Sequence, residues 1–433
     1  MIGENEDRHI RQLIEGAAQA SAGGRVQEAD GLIQRAEAEA PRHPLVLNER
    51  ARRLLMRGDA VGARATLMQA LTEDSSQAAI WLNLAAALRG LNMPEEEMAA
   101  VDRVLSLEPL NFRALLQKAS LQELQGQRRA AAMNYRYALQ RVPAGSLPPP
   151  SMRSVFEHAL RFVAANDREL EKFVEDRLQG LRARYANAPL RRFDQCLQIL
   201  LRKQPIYRPQ PSFMYFPQLP ALEFYDRSDF SWLHSIEAAT DDMRQELLSL
   251  LADGSAVLSP YVDYQANVAR PQWGELNHSR RWGVYNLWWE GVPFPDHIAR
   301  FPRTVAALQA WPRCEVPGCS PTAVFSILDA KTRIPAHSGV SNTRLIVHLP
   351  LIVPHGCGFR VGAERREWHP GKAFIFDDTF EHEAWNDSDE LRAVLILDIW
   401  NPYLTEMERE MVQRVTADVG EFYGKGSYHE GRS

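Results

Sequence analysis

A repeat of 34 residues in the first third of the sequence restricts the fold more than any other feature. When blocks are started at Ile10, Pro44, Ala78 and Phe112, small and turn-forming residues recur at fixed places. The eighth position is alanine in every block, and the fifteenth is glycine or asparagine: Ala17, Ala51, Ala85, Ala119, Gly24, Gly58, Asn92, Gly126. Small residues let two helices approach closely, and glycine or asparagine suits the turn after a helix. The pattern predicts stacked pairs of helices.

The repeats resemble four tetratricopeptide repeats (TPRs). A single helical hairpin cannot bury its own apolar face, so stacking produces a continuous core and a concave surface that suits a peptide. We therefore expect residues 1–143 to form a TPR domain whose concave surface holds a protein or peptide substrate. The alternative is that the array packs only against the remainder of the chain or a second subunit.

Changes in composition predict where this domain ends. Residues 144–150 contain three consecutive prolines, which break a helix. Residues 151–202 return to helical spacing, so residues 144–204 are predicted to be a helical cap and connector. The segment 205–220 is rich in proline and aromatic residues and is predicted to open a third domain, residues 205–433.

The third domain has the pattern of a β-rich fold. An amphipathic helix is predicted at 230–251, and strands are predicted at 343–353, 358–361, 372–376 and 391–399. Turn signals separate these strands, and no helical period lies between them. The expected fold class is therefore multidomain α and β, with a sandwich or jelly-roll barrel after the helical repeats.

Two histidines, His337 and His382, lie beside predicted strands and are 45 residues apart. A barrel can bring such residues together at its mouth, and neutral imidazole is a good iron ligand. Iron(II) oxygenases with a facial triad add a carboxylate ligand, expected two residues after the first histidine, where this sequence has Gly339. Either the site is degenerate or it works with two protein ligands.

The motifs favour two protein ligands. HSGVSNTRLIVHLPL (337–351), GKAFIFDDTFEHEAWND (371–387), an arginine ten residues after His382 and the closing LDIWNP occur in order. This series, within roughly residues 208–402, resembles the aspartyl/asparaginyl β-hydroxylase family, whose pattern also has glycine at position 339. The resemblance implies a double-stranded β-helix (jelly-roll, cupin-like) and an oxygenase that uses Fe(II), 2-oxoglutarate and O2.

The resemblance also implies roles for individual residues. His337 and His382 match the iron ligands, and Ser326 and Arg392 match the positions that hold the distal carboxylate of 2-oxoglutarate. His348 matches a residue at the other end of the cosubstrate. Some members have an arginine where this chain has Ile346; Arg344, two residues earlier, is included among the predicted cosubstrate-binding residues.

Physical arguments support some of these roles, and each has an ordinary alternative. A guanidinium on a buried strand needs an anionic partner, which a dicarboxylate would supply to Arg392; the alternative is an ordinary ion pair. Asp377 and Asp378 are interpreted as a turn-forming pair rather than an acid/base pair. The aromatic residues within 262–289 are core or, with Arg280 and Arg281, one wall of the substrate entrance.

Composition limits the possible partners. The net charge is -5 with both signs interspersed, so no nucleic-acid partner is expected. No apolar run is long enough to span a bilayer and the first residues are charged, so we expect a cytoplasmic protein without a membrane partner. The four cysteines lack zinc-like spacing and are expected to be reduced bystanders.

The resemblance implies that the enzyme hydroxylates the β-carbon of aspartyl or asparaginyl residues in a protein or peptide. Two alternatives remain open at this stage: a small or lipidic substrate, or a TPR scaffold without catalysis.

Overall fold

The structure is a computed structural model that describes residues 4–142, 152–254, 257–264 and 271–423. The chain forms two compact units, Met1–Pro189 and Leu190–Ser433. The predicted proline-rich break at 144–150 lies outside the described residues. The domain boundaries expected at residues 143 and 204 remain predictions.

The first unit is a series of helix pairs. Its helices are α1 (Glu4–Ala22), α2 (Val26–Glu39), α3 (Pro44–Met56), α4 (Ala60–Glu73), α5 (Ala78–Gly90), α6 (Pro94–Leu107), α7 (Phe112–Leu124), α8 (Arg128–Leu139) and α9 (Arg153–Arg184). Each odd-numbered helix from α1 to α7 packs on the even-numbered helix after it. The fifteenth position of each repeat has a positive φ, from 56° at Asn92 to 81° at Gly58, which is the conformation for which glycine or asparagine is favoured. The predicted TPR-like repeats are confirmed.

Small side chains make this packing possible. The alanines at the eighth position are buried in all four repeats: Ala17, Ala51, Ala85 and Ala119. After the fourth pair, α9 covers the exposed end of the core with Phe156, Ala159 and Phe162, which pack in one cluster with Tyr135. Farther along α9, Leu170 and Phe173 are exposed, so only the beginning of this helix acts as the predicted cap.

The second unit combines helices with two antiparallel sheets. Its helices are α10 (Arg191–Leu200), α11 (Leu233–Ala238), α12 (Thr240–Ala252), α13 (Pro295–Ile298), α14 (Pro302–Ala307) and α15 (Glu406–Tyr423). The single helix predicted at 230–251 is wrong, because the chain bends at Ala239 between α11 and α12. The bend lets Ile236 and Leu247 reach the same core. None of the helices in the described ranges is long and apolar enough to cross a membrane.

The strands form one large and one small sheet. They are β1 (Phe224–Tyr225), β2 (Ser259–Pro260), β3 (Trp282–Trp289), β4 (Val292–Pro293), β5 (Ala323–Leu328), β6 (Thr332–His337), β7 (Arg344–Ile352), β8 (Cys357–Val361), β9 (Glu364–Arg366), β10 (Phe374–Phe376), β11 (His382–Asn386) and β12 (Arg392–Trp400). The large sheet has the order β1-β10-β7-β12-β5-β3-β2 with β4 paired to β3, and the small sheet has the order β6-β11-β8-β9. The four predicted strands correspond to β7, β8, β10 and β12.

Strand alternation gives the large sheet two different faces. On β12, Leu395 and Leu397 join a core cluster with α11 and α12, whereas Val394 and Ile396 join a second cluster with Phe359 of the small sheet. Successive side chains on a strand point to opposite faces. Arg392 and Asp398 therefore share the face of Val394 and Ile396, which is the face that lines the space between the sheets.

Candidate active site

A cavity of about 410 Å³ lies in the second unit, between the two sheets. All six residues predicted for the site line it: Ser326, His337, Arg344, His348, His382 and Arg392. They come from β5, β6, β7, β11 and β12. The structure therefore brings together residues that are spread over 67 positions of the sequence, from 326 to 392.

The two histidines are direct neighbours. His337 ends β6 and His382 begins β11, and the two residues are paired in the antiparallel register. Their ring centroids are 4.0 Å apart. Within the residues that the structure describes, no group of three or more His, Cys, Asp or Glu side chains could hold a metal ion. A metal at this pair would rely on the two imidazoles and on ligands that are not protein side chains.

Hydrogen bonds prepare both imidazoles to bind a cation. The Nδ1 of His337 donates to the Pro335 carbonyl at 2.8 Å, and that of His382 donates to the Phe380 carbonyl at 3.0 Å. A carbonyl oxygen only accepts, so Nδ1 carries the proton and Nε2 keeps its lone pair. Burial lowers the pKa of His337 to about 3 and that of His382 to about 4. Both rings are therefore neutral near pH 7, as metal ligation requires.

Gly339 explains why the usual third ligand is missing. A Cβ atom at this position would collide with the Asp378 carboxylate. The Gly339 N–H also donates to the Asp378 backbone carbonyl at 2.6 Å. The glycine thus makes room for a carboxylate from another part of the chain, beside His337.

The two neighbouring aspartates have different surroundings. Asp377 accepts hydrogen bonds from the Thr379 N–H and hydroxyl, at 2.9 and 2.6 Å, and forms the predicted turn. Asp378 lines the cavity, and its Oδ1 has no hydrogen-bond partner among the described residues. Sequence reasoning missed Asp378 as a site residue. A glycine two residues after a ligand-like histidine, together with a second aspartate in the turn, was the available signal.

Arg392 is a buried cation without a counterion. Its side chain is 1% exposed, and no carboxylate in the described ranges pairs with it. Its hydrogen bonds to the backbone oxygen and hydroxyl of Ser326 are both long, at 3.4 Å, and its Nε has no partner in the part of the chain that the structure describes. Burial lowers the pKa of this guanidinium to about 10, so it remains charged at neutral pH. The alternative of an ordinary ion pair for Arg392 is not observed.

Aromatic and hydroxyl groups surround this cation. The Cζ atom of Arg392 lies 4.4 Å from the Trp368 ring centroid, a cation–π contact that sequence reasoning missed. Trp282 donates from its indole nitrogen to the Ser326 hydroxyl at 3.1 Å. An anion at Arg392 would complete the hydrogen bonding of a group that is costly to bury alone.

His348 lies between the arginine and the histidine pair. Burial, the Arg392 charge and His382 together lower its pKa well below the ordinary value. Its ring packs against Phe359 and Phe376, with centroids 5.1 and 4.8 Å away, and its Nδ1 has no partner in the described part of the chain. A neutral imidazole with an unused polar atom is therefore available between the two ends of the cavity.

Arg344 is paired with carboxylates, unlike Arg392, although its Nε has no hydrogen-bond partner among the described residues. Its Nη1 donates to Asp398 Oδ2 at 3.1 Å, and its Nη2 lies 3.8 Å from Asp378 Oδ2. Burial alone would lower the pKa of Arg344, but the two carboxylates outweigh it and the net shift is upward. Asp398 is fully buried and also accepts from the Ser320 hydroxyl and the Thr322 N–H. The role predicted for Arg344 in cosubstrate binding stays a prediction.

An aromatic wall closes one side of the cavity. Trp273 contacts His337 edge to face with centroids 5.0 Å apart, and Trp282 stacks on Tyr261 at 4.0 Å. Trp282 and Trp289 line the cavity, but Arg280 and Arg281 are not among the lining residues. Trp288 instead packs against the core on the other face of the sheet. The predicted aromatic cluster is therefore part wall and part core.

Comparisons with known proteins identify a family that the second unit resembles. Residues 237–402 match the sequence model of the family described as aspartyl/asparaginyl beta-hydroxylase. The chain is 35% identical over 156 residues to the mouse aspartyl/asparaginyl beta-hydroxylase, covering 36% of this chain and 21% of that protein. It is 36% identical over 181 residues to the ornithine lipid ester-linked acyl 2-hydroxylase of Rhizobium tropici, covering 41% of this chain and 60% of that protein.

A TPR protein of Thermus thermophilus is among the similar solved structures, at 23% identity and a TM-score of 0.30, covering 42% of this chain and 99% of that one. The chain thus spans about a fifth of the mouse hydroxylase and three-fifths of the lipid hydroxylase. The resemblance expected from the motifs around His337 and His382 is confirmed, since both histidines lie within the matched range. Residues 237–402 of this chain are therefore similar to the aspartyl/asparaginyl β-hydroxylase family.

Proposed function

We propose that the protein is an Fe(II)- and 2-oxoglutarate-dependent dioxygenase that hydroxylates the β-carbon of aspartyl or asparaginyl residues in a protein or peptide. The observation that carries this proposal is Arg392, a buried guanidinium without a carboxylate partner in the same cavity as two neutral, adjacent histidines. A dicarboxylate that also ligates a metal satisfies both features at once.

The residues present fit this cofactor pair. His337 and His382 would hold the iron through Nε2, because their Nδ1 atoms are engaged by backbone carbonyls. Arg392 and the Ser326 hydroxyl would bind the distal carboxylate of 2-oxoglutarate, and His348 would contact its other end. Bound iron and 2-oxoglutarate together supply oxygen activation, with one oxygen atom entering the substrate C–H bond, the other entering succinate, and carbon dioxide leaving.

The protein's own contribution is binding, orientation and exclusion of water. The aromatic wall and Phe359 surround the polar groups with apolar surface, which strengthens the electrostatic interactions inside the cavity. Asp378 lies beside His337, and its carboxylate is suited to accept a hydrogen bond from a water or substrate group there.

We further infer that the two sheets form a double-stranded β-helix. From β5 onward, β5, β7, β10 and β12 lie in the large sheet, while β6, β8, β9 and β11 lie in the small one. This distribution, with β12 between β5 and β7 and with β11 between β6 and β8, supports a closed two-sheet barrel with the site at its interior.

The TPR unit would hold the protein substrate. Stacked helix pairs create a surface that suits an extended peptide, and a tethered binding site raises the local concentration of substrate at the catalytic unit. A partner-binding role without substrate delivery is the alternative. Removing residues 1–143 and comparing product formation on the protein target with substrate-independent 2-oxoglutarate turnover separates the two, after the truncated protein has been shown to be folded.

A lipidic substrate is the second candidate. Two observations favour it: the aromatic side chains of the cavity wall, and the similarity to a lipid acyl hydroxylase over three-fifths of that relative's length. An acyl chain would pack against this wall through apolar contacts alone.

The test of the proposed function begins with the purified full chain, iron(II), 2-oxoglutarate and oxygen. We expect slow succinate formation that requires all three components and that is abolished by a chelator. Mass spectrometry of proteins and lipids from cells with and without the gene then identifies the molecule that gains one oxygen atom. A product found only in the lipid fraction would replace the peptidyl substrate by the second candidate. Absence of succinate under all conditions would contradict the oxygenase assignment.

A further inference from the structure

The cavity has a second polar end, at a distance from Arg392 along the strands. β7 and β12 are antiparallel, and Arg344 pairs with Trp400 at one end of the strand pair, whereas Arg392 lies at the other end. Arg344, Ile346 and His348 alternate along β7 and therefore share the face that lines the cavity. The Arg344 end is the part of the cavity that the proposed cosubstrate leaves free.

The proposed reaction determines which substrate group lies in this region of the cavity. Hydroxylation of a β-carbon requires that carbon beside the metal, and the γ-carbon of Asp or Asn is bonded directly to it. The γ-carboxylate or γ-carboxamide is therefore close to the histidine pair and to the polar groups next to it. Asp378, beside His337, and Arg344, within 3.8 Å of Asp378, are those groups.

The charges in this region are unfavourable for a second acid. Apart from Arg392, Arg344 is the one Lys or Arg among the described residues that line the cavity, and it is paired with Asp398. Asp378 and Glu290 add two further carboxylates to the lining, and Ile346 adds no cation. A substrate carboxylate would find one donor without a partner, the Arg344 Nε, on a guanidinium that Asp398 and Asp378 already face. It would be a further buried anion sharing one cation with two others, which is costly.

A carboxamide meets the same groups without this cost. It carries no charge, and its two N–H donors suit carboxylate acceptors. Asp378 Oδ1 offers an acceptor that has no partner within the described ranges. We propose that the Arg344–Asp398 pair and Asp378 make this site selective for the side-chain amide of asparagine over the carboxylate of aspartate, with Asp378 accepting the amide N–H. This inference rests on the proposed function.

The test uses two synthetic peptide libraries that are identical except for a central Asn or Asp. The full chain is incubated with iron(II), 2-oxoglutarate and oxygen, and gain of one oxygen atom at the central residue is measured by mass spectrometry. We expect the Asn library to be hydroxylated more efficiently, by on the order of tenfold or more. Under nitrogen, retention of the same libraries on immobilised enzyme should show the same preference, which separates binding from turnover.

A charge variant provides the positive control. Ile346→Arg places a second guanidinium on the face of Arg344 and should raise hydroxylation and retention of the Asp library relative to the Asn library. Ile346→Gln, which is polar and of similar length but uncharged, should leave the wild-type preference in place. An increase in the Asp signal is informative even if the variant is less stable.

Amide selection would be overturned if the wild-type enzyme used both libraries equally or preferred Asp. It would also be overturned if both Ile346 variants changed the preference in the same way. Absence of peptide product from enzyme that still forms succinate would overturn amide selection together with the peptidyl substrate. Absence of succinate would instead contradict the proposed oxygenase function itself, so the two failures are distinguishable.

Discussion

Two buried arginines at opposite ends of the same strand pair have different partners. Arg344 pairs with Asp398 and lies near Asp378, whereas among the described residues Arg392 has long hydrogen bonds to Ser326, a contact with the face of Trp368 and no carboxylate partner. A buried cation with carboxylates is already satisfied, and one without them lacks an anion. This difference is the basis of the proposal that Arg392 binds a ligand, whereas Arg344 forms an ion pair within the protein.

The largest effect is expected from the histidines between these two ends. His337→Ala or His382→Ala should abolish 2-oxoglutarate-dependent succinate formation, because the described residues provide no third protein ligand. Circular dichroism should show that both variants remain folded, since each loses one side chain at a strand end. Succinate formation at the wild-type rate in either variant would exclude the histidine pair as the metal site.

Arg344→Met removes the arginine that is paired with Asp398. Removing the guanidinium leaves Asp398 fully buried without its cation, and breaking such a pair costs about 3–5 kcal/mol. Urea unfolding followed by tryptophan fluorescence measures this loss in the second unit, which contains every tryptophan except Trp81. An unchanged transition would mean that the Asp398 carboxylate does not depend on Arg344.

His348 allows a test by pH. Its pKa is lowered in the folded state, so below the ordinary value of about 6.5 the unfolded chain binds a proton that the folded chain does not. Stability should therefore fall with decreasing pH, by about 1.4 kcal/mol per pH unit from this residue. Without metal, His348→Asn should show a shallower fall than the wild type as the pH decreases below about 6.5. Parallel curves would show that His348 has an ordinary pKa.

Arg392→Met is the matched partner of Arg344→Met and should have the smallest effect on stability. It removes a desolvated charge that has no carboxylate partner, and the aliphatic replacement can pack under Trp368. The free energy of unfolding without ligands should change by less than about 1 kcal/mol or increase. A loss as large as that of Arg344→Met would erase the distinction between the two arginines.

The sequence allowed the regular features to be predicted because they repeat or alternate locally. The TPR turns follow from glycine or asparagine every 34 residues, and β7 and β12 follow from apolar, β-branched runs. The site residues were predicted through the family resemblance, and the cavity contains all of them. Their roles there remain predictions.

Other features depend on contacts between distant segments. Asp378 fills the space left by Gly339. This contact depends on how the turn before β11 meets the loop after β6. The pairing of Arg344 with Asp398 depends on the register between β7 and β12. Which tryptophans face the cavity depends on the face of β3, because Trp282 and Trp288 belong to different clusters. No local pattern in the sequence specifies these three contacts.

The central claim is that Arg392 is the unpaired cation that receives a dicarboxylate. The most direct measurement is equilibrium binding of 2-oxoglutarate to the full chain with iron(II) under nitrogen, by calorimetry, with Arg392→Met as the variant. We predict one 2-oxoglutarate per wild-type chain and a loss of roughly 2–5 kcal/mol of binding free energy in the variant, because a desolvated charge partner has been removed. Wild-type affinity in Arg392→Met, or no binding to the wild-type protein, would contradict the account.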